Sequence, residues 1–193
     1  MARMPLAERR QQLVDAAIAV MTREGVNAAT TRAIVAEAGT SLSVFHYCFD
    51  SKQELLDAVL RSLVGSTVTL AEESFEDATE RGELIRAGLR AYWEHVVAHP
   101  DEHLLTYELT QYCLRTPGYA DVARQQYDHY AHTFCAVLET LGLRTAVPMP
   151  VVARFLAVTV DGLTLDWLAR RDDEGTLALL DQLAGYLEEV LEP

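Results

Sequence analysis

Glycines and prolines divide this chain into segments that repeat apolar side chains at helical spacing. Between residues 8 and 24, for example, apolar residues recur every three or four positions, and Gly25 follows them. No segment shows the alternation of apolar and polar residues between turn signals that predicts a β-hairpin. The spacing therefore predicts an all-α protein of about nine helices.

The same signals set the expected helix boundaries. Thr30 can cap a short helix that stops at Gly39, and Ser41 can cap a second short helix. Residues 51–54, with the sequence SKQE, have the form of a capping box that begins a longer helix. Further helices are expected at residues 83–98, 101–115, 119–141, 151–171 and 175–191.

The two short helices meet at a tight turn in the stretch TTRAIVAEAGTSLSVFHYCF, residues 30–49. Gly39 can adopt the left-handed conformation that ends the first helix, because glycine has no Cβ. Two short helices around such a turn are typical of a helix-turn-helix, whose second helix enters the major groove of DNA while the first crosses the backbone. The spacing thus predicts DNA binding by the second helix.

The second short helix has a core face and an outer face. Phe45 and Phe49 are four residues apart, so they lie on one face and are expected to pack into the core. Cys48 is expected to be packed or at the backbone edge. Lys52 lies at the start of the next helix, where the free amides favour a phosphate. The side chains left to contact phosphates or base edges are Leu42, Ser43, Val44, His46 and Tyr47.

Residues 8–66 resemble the DNA-binding domain of the TetR family of transcriptional repressors. The resemblance lies in a long first helix, a threonine with an arginine nearby, a Gly-x-Ser turn, paired aromatics and a Ser-Lys-x-x-Leu-Leu segment. The matching positions are Thr30, Arg32, Ile34, Ala38, Gly39, Ser41, Phe45, Phe49, Ser51, Lys52, Leu55 and Leu56. The resemblance implies DNA contacts from Thr30, Arg32, Leu42, Ser43, Val44, His46, Tyr47 and Lys52.

Three positions depart from the family pattern. His46 replaces the usual tyrosine, which exchanges a phenol for an imidazole. Cys48 stands where tyrosine or histidine is common, and Leu42 replaces a residue that is usually polar. These departures alter the chemistry of the expected DNA contacts.

The resemblance extends over the whole chain. It implies a DNA-binding domain, residues 1–52, and a helical domain, residues 53–193, that binds a small molecule and dimerises through its last two helices. Such a protein is a regulator, not an enzyme: as a dimer it binds a near-palindromic operator, from which a small, largely apolar or aromatic effector releases it. The sequence agrees, because residues 151–171 and 175–191 are apolar on more than one face, as a four-helix interface between two copies requires.

Charge and cysteine content limit where such a protein works. The formal net charge is −13, but six basic and six acidic residues balance within residues 1–55, so the whole excess lies further along the chain. The three cysteines are too few and too widely spaced for a disulfide framework, and no apolar run is long enough to span a bilayer. The N-terminus has no secretory signal. These features predict a cytoplasmic protein.

Aromatic residues are frequent in the helices of the middle of the chain. Each one alone is best explained as core, but several together can line an apolar ligand site with a few phenol hydroxyls. Asp161 and Asp166 interrupt an apolar helix, so each must be paired, for example with Arg154 or Arg170, exposed, or functional. Beside aromatic rings, such a carboxylate favours a cationic or hydroxylated ligand. The candidate ligand-binding residues are Trp93, Tyr107, Tyr112, Tyr127, Tyr130, Phe134, Asp161 and Trp167.

A metal-binding helical bundle is the alternative function. Asp128, His129 and His132 have a spacing that can ligate a metal on one helix. However, the chain contains no repeated Glu-x-x-His pair, no nucleophile elbow, no phosphate loop and no Cys-x-x-Cys motif. We therefore expect neither a metal nor a cofactor.

Overall fold

The computed structural model describes residues 4–73 and 81–192, without side chains for residues 64–73, 81 and 192. This part of the chain forms nine α-helices and one short pair of β-strands, which confirms the predicted all-α class. The helices are α1 (Leu6–Glu24), α2 (Thr31–Glu37), α3 (Leu42–Cys48), α4 (Lys52–Glu73), α5 (Arg81–Ala98), α6 (Pro100–Arg115), α7 (Ala120–Thr140), α8 (Met149–Arg170) and α9 (Asp173–Val190).

The glycines and Thr30 determine where the first helices begin and end. Gly25 has a φ of 84° and donates its amide to the carbonyl of Met21, which ends α1. Thr30 precedes α2, and its Oγ1 accepts the amide N–H of Ala33 at 3.1 Å. Gly39 has a φ of 60°, a conformation that glycine adopts at no steric cost. The left-handed turn between α2 and α3 is therefore confirmed.

The predicted side-chain cap at Ser41 is wrong. Ser41 does occupy the position before α3, with extended backbone, but its hydroxyl accepts no amide hydrogen bond. The reason is that the amides of Val44 and Phe45 both donate to the backbone carbonyl of Ser41, at 3.0 and 3.2 Å. The start of α3 is therefore held by backbone bonds alone.

The predicted capping box at the start of α4 is present with one change. Ser51 Oγ accepts the amide of Glu54 at 3.1 Å, as the pattern requires. The Glu54 carboxylate, however, accepts the amide of Asp50 at 2.8 Å, one residue earlier than expected. Both ends of the box thus fix the turn between α3 and α4.

One compact unit contains residues up to 63 together with residues 101–126. Its core is formed by α1, α2, α3 and the first turns of α4, packed with α6 and the start of α7. Its largest fully buried side chains include Leu13, Met21, Ile34, Phe45, Phe49, Leu55, Leu56, Leu60 and Leu109. The predicted functional boundary between residues 52 and 53 stays a prediction, since this unit is defined by packing alone.

A second compact unit contains residues 64–100 and 127–193. Its core lies among α5, α7, α8 and α9, where the rings of Trp93 and Trp167 meet edge to face at 5.2 Å. Two-residue strands, β1 (Arg144–Thr145) and β2 (Leu191–Glu192), pair antiparallel. The expectation of no strands is wrong here, because two residues are too few to show an alternating pattern.

The described residues contain no helix that is long and apolar enough to cross a membrane.

Candidate DNA-binding and ligand-binding sites

The helix α3 has the two faces that its spacing predicts. Phe45 and Phe49 are each only 1% exposed, and their ring centroids lie 5.8 Å apart. Cys48 is also buried, and this burial raises the pKa of its thiol, so the reactive thiolate is disfavoured. By contrast, Leu42 is 42% exposed and Tyr47 is 59% exposed. The outer face of α3 is therefore available to a partner.

The remaining outer residues of α3 differ in exposure. Ser43 and His46 are exposed, as expected. Val44 is only partly exposed and packs against the core, so the expectation that it points outward is wrong in part. Its position, one residue before the fully buried Phe45, places it at the edge of the core face of α3. Only the exposed part of the Val44 side chain can therefore contact a base.

The other predicted DNA-binding residues flank α3. Arg32 on α2 is exposed, and so is Thr30, whose hydroxyl oxygen caps α2 while its proton can still be donated. Lys52, the first residue of α4, is half-buried, and its Nζ lies 5.2 Å from the ring centroid of Tyr112. This cation–π contact holds the ammonium group at the helix N-terminus.

Arg10 on α1 joins the two ends of the α3–α4 turn, and the spacing of the sequence did not predict this. Its guanidinium donates to the backbone carbonyl of Cys48 and to Glu54 Oε1, the latter at 2.8 Å. Its Cζ lies 4.2 Å from the centroid of the Phe49 ring. The amide of Asp50 and the Arg10 guanidinium lower the pKa of Glu54. Arg10 thus fixes the C-terminal end of α3, although 38 residues separate it from Cys48.

Three further hydrogen bonds join distant segments of the first unit, one of them at the helix-turn-helix itself. On α1, Gln12 donates to the carbonyl of Ala38 at 2.8 Å, just before the turn. On α6, Glu108 Oε1 accepts the amide of Val26 at 2.9 Å. In addition, the Gln53 side chain donates to a backbone carbonyl in the loop after α6, at 3.0 Å. Every one of these bonds joins a side chain to a backbone atom distant in sequence.

In the second unit, Tyr127, Tyr130 and Asp161 come together, and Tyr92 joins them. The Tyr127 hydroxyl donates to Asp161 Oδ2 at 3.0 Å, and the rings of Tyr127 and Tyr130 lie 5.6 Å apart, near perpendicular. Burial and then the Asp161 charge raise the pKa of Tyr127. Burial also raises the pKa of Tyr92, and Asp161 and Tyr130 add to this rise. We call Tyr92, Tyr127, Tyr130 and Asp161 the phenol–carboxylate cluster.

The hydroxyl of Tyr92 contacts residues of α8. It lies 2.5 Å from Thr164 Oγ1, and Thr164 in turn donates to the carbonyl of Val160 at 2.9 Å. The Tyr92 hydroxyl also lies 3.4 Å from that carbonyl, so two residues of α8 hold it. Nothing in the sequence pattern distinguishes Tyr92 from the other aromatic residues of the chain.

The other candidate ligand-binding residues lie elsewhere. Trp93 and Trp167 are buried in the core of the second unit, and the Trp167 indole donates to Asp173 at 2.7 Å. Phe134 is partly buried against the same core. Tyr107 and Tyr112 belong to the first unit, where the Tyr112 ring packs edge to face on Tyr119 at 6.0 Å. The predicted set is therefore divided between two cores.

The second carboxylate of α8 has a structural partner. Arg170 Nε donates to Asp166 Oδ1 at 2.7 Å, one helical turn away, which is one of the pairings that the sequence suggested.

The geometry does not support the metal-binding alternative. His132 Nδ1 lies 2.6 Å from the backbone carbonyl of Asp128, on an exposed part of α7. Within residues 4–73 and 81–192, no three histidine, cysteine, aspartate or glutamate side chains are grouped so that they could hold a metal ion. Asp128, His129 and His132 therefore form no metal site in the part of the chain that is described.

The helices α8 and α9 have an exposed apolar surface. On α8 it follows helical spacing, and Gly162 in its middle has no atom within 4 Å of where a Cβ would be. The rings of Phe155 and Tyr186 join the two helices at 5.0 Å. Its exposed members are Val151, Phe155, Val158, Leu165, Leu179 and Tyr186, which we call the α8–α9 surface.

Two family models match this chain. Residues 13–59, which contain the helix-turn-helix, match the model described as bacterial regulatory proteins of the tetR family. Residues 80–192 match the model described as the tetracyclin repressor-like C-terminal domain. The two matches together cover both the DNA-binding and the ligand-binding parts that the sequence predicts.

Several known proteins are similar to this chain over nearly its whole length. The nicotine-responsive transcriptional repressor HdnoR of Paenarthrobacter nicotinovorans is 30% identical over 97% of this chain and 98% of its own. The multidrug binding protein EbrR, solved with ethidium, is 27% identical with a TM-score of 0.68 over 91% of this chain and 98% of its own. A transcriptional regulator from Rhodococcus sp. Rha1, 24% identical, has the same fold with a TM-score of 0.69 over 94% and 97%. This chain therefore belongs to the TetR family of bacterial transcriptional regulators.

Proposed function

We propose that this regulator is a repressor that binds a near-palindromic operator as a dimer and leaves it when a small aromatic effector binds. The observation that carries the proposal is the outer face of α3, where Leu42, Ser43, His46 and Tyr47 are exposed beside Arg32. Exposed aromatic and apolar side chains on a short second helix suit contact with phosphates and thymine methyl groups. The proposed DNA-binding residues are Thr30, Arg32, Leu42, Ser43, Val44, His46, Tyr47 and Lys52.

The charge distribution supports binding to DNA at a restricted surface. The excess of negative charge lies outside residues 1–55, so only the neutral N-terminal part can approach a polyanion without net repulsion. We therefore expect operator binding to weaken steeply as salt rises, and non-specific binding to be modest.

A second copy of this chain is the proposed occupant of the α8–α9 surface. Six large apolar side chains are exposed there, and an exposed surface of this kind is characteristic of a protein interface. The open backbone at Gly162 lets a second helix approach closely. A two-fold dimer would place two copies of α3 about one turn of DNA apart, around 34–36 Å, which requires a near-palindromic operator.

Sedimentation velocity tests the dimer. Val158→Glu places a charge in the α8–α9 surface, and we expect it to give a monomer where the wild type is a dimer. Val97→Glu is the matched control, since Val97 is an exposed valine on α5. A dimeric Val158→Glu protein would exclude this surface as the interface.

The proposed effector is a small aromatic molecule. HdnoR is named for its response to nicotine, and EbrR was solved with imidazole and with ethidium. These relatives support the proposal that the effector of this chain is an aromatic molecule that contains nitrogen. Such a molecule can release DNA only if it binds the free form of the dimer more tightly than the operator-bound form.

A gel-shift experiment tests the repressor function. Wild-type protein is mixed at low salt with DNA fragments that flank its own gene, and a competitor of unrelated sequence is added. We expect one fragment to be retarded, and the retardation to persist with competitor. If no flanking fragment is retarded, the proposed function is wrong.

A further inference from the structure

The chemistry of the phenol–carboxylate cluster indicates which class of small molecule the second unit recognises. Asp161 is half-buried on α8, at the border between its buried face and the α8–α9 surface. The hydrogen bond from Tyr127 to Asp161 comes from a neutral phenol, so this bond leaves the carboxylate its charge. A partly buried carboxylate favours a positive charge nearby, because desolvation strengthens the attraction.

The phenol rings around Asp161 strengthen the preference for a positively charged ligand. Tyr127 and Tyr130 stand nearly perpendicular, with ring centroids 5.6 Å apart, so two faces of different orientation are present. The Tyr92 hydroxyl lies 3.4 Å from the carbonyl of Val160, the residue before Asp161 on α8. Ring faces carry negative electrostatic potential, which attracts a cation and repels an anion.

The hydroxyl of Tyr92 is held by protein atoms and keeps its ring in place. It lies 2.5 Å from Thr164 Oγ1 and 3.4 Å from the Val160 carbonyl, both on α8. Tyr92 therefore contributes a positioned ring to the cluster. Tyr127 differs, since its hydrogen bond ends on Asp161 itself and links one ring directly to the charge.

We propose that Tyr92, Tyr127, Tyr130 and Asp161 form the recognition site for the charged nitrogen of a monocationic aromatic amine. This inference rests on the proposed ligand-responsive function and names the class of its effector. The Asp161 carboxylate supplies the opposite charge, and the tyrosine rings supply faces that pack on the aromatic part of the ligand.

Calorimetric titration with two probes of equal size tests the charge preference. The permanent cation 1-methylquinolinium and the neutral 4-methylquinoline contain the same number of heavy atoms, and at mildly alkaline pH they differ in charge. The full-length wild-type protein is expected to bind the cation at least about tenfold more tightly than the neutral probe. Equal affinities, a preference for the neutral probe, or binding of neither would overturn the proposal.

Asp161→Asn tests whether Asp161 is the source of this preference. Asparagine keeps the shape and an acceptor for the Tyr127 hydroxyl but has no charge. We expect the affinity for 1-methylquinolinium to fall about tenfold while the affinity for 4-methylquinoline stays unchanged. Asp166→Asn is the matched control, because Asp166 is on the same helix and is paired with Arg170. If Asp161→Asn keeps the preference, or if Asp166→Asn loses it, the assignment to Asp161 is wrong.

A second pair of variants tests the ring independently of Asp161. Tyr127→Phe keeps an aromatic face and should keep most of the affinity for the cation. Tyr127→Leu removes the face, and the affinity should fall about fivefold. Equal affinities of the two variants would exclude the Tyr127 ring from the site.

Operator binding separates this inference from the proposed function. Asp161→Asn should retard the flanking DNA as the wild type does, with an unchanged melting temperature. If the wild type binds DNA but shows no preference for the cation, only the present inference fails. If the preference is found and no DNA is bound, the proposed function fails and the cation site remains.

Discussion

The two candidate sites of this molecule are held together by different kinds of hydrogen bond. Around α3, the side chains of Arg10, Gln12 and Glu108 bond to backbone atoms of distant segments. In the phenol–carboxylate cluster, Tyr127 bonds to the side chain of Asp161. A bond to the backbone fixes a whole helix end, whereas two bonded side chains can turn to other rotamers. We therefore expect the segments held by Arg10, Gln12 and Glu108 to be more rigid than the contact between Tyr127 and Asp161, whose side chains can rearrange around a ligand.

The largest expected effect tests the two faces of α3. Phe45→Ala should lower the free energy of unfolding by about 3–5 kcal/mol, because Phe45 is fully buried and its loss leaves a cavity. Tyr47→Ala, two residues further on, should change it by less than about 0.5 kcal/mol, because Tyr47 is exposed. Chemical denaturation followed by circular dichroism measures both. Similar losses in the two variants would show that α3 does not have separate core and outer faces.

The next effect tests how the C-terminal end of α3 is fixed. Arg10→Ala should cost about 2 kcal/mol of unfolding free energy, since it removes the donor to the Cys48 carbonyl and the contact with the Phe49 ring. The neighbouring Arg9→Ala is the control, because Arg9 bonds only to the nearby Gln12 side chain in the contacts seen here. If Arg9→Ala lowers the free energy of unfolding as much as Arg10→Ala does, Arg10 has no special role in fixing α3.

A smaller effect compares the two regions directly. Glu108→Ala removes the acceptor for the Val26 amide and should cost about 1 kcal/mol of unfolding free energy. Tyr127→Phe removes only a bond between two side chains and should cost less than about 0.5 kcal/mol. Thermal and chemical unfolding of both variants test the contrast. If Tyr127→Phe costs more than Glu108→Ala, the rigid and adaptable regions have been assigned the wrong way round.

The smallest effect is the pH dependence of the α3–α4 turn. The Asp50 amide and Arg10 lower the pKa of Glu54, so its contribution is complete above the ordinary glutamate pKa and is lost as pH falls through the lowered value. Because Glu54 is partly exposed, the contribution should be below about 1 kcal/mol. Glu54→Gln should be less stable than the wild type at neutral pH, and the difference should vanish in acid. A difference that grows in acid would contradict the sign of this pKa shift.

Local patterns predicted the helices, the turn and the hydrogen bonds between near neighbours in sequence, but not the bonds between distant segments. Thr30, Gly39 and Ser51 act within a few residues of their own position, so their roles follow from spacing. The contact of Arg10 with the Cys48 carbonyl spans 38 residues, and no spacing rule identifies which surface arginine turns inward.

The ligand site shows the same limit. Tyr112 and Tyr127 lie on helices with similar patterns, yet Tyr112 belongs to the first unit and Tyr127 to the second. Periodicity places a side chain on a face of its helix, but the partner of that face depends on how distant segments pack. Asp161 stands out in the sequence itself, because it is a carboxylate on an otherwise apolar helix, and its role in ligand binding stays a prediction.

The operator affinity of Tyr47→Ala is the most direct test of the proposal that the outer face of α3 contacts DNA. Fluorescence anisotropy with a labelled operator fragment measures it against the wild type at one fixed salt concentration. We predict that Tyr47→Ala binds about tenfold more weakly, with an unchanged free energy of unfolding. Equal affinity of the two proteins for the operator would contradict the proposal and would place the DNA contact on another surface.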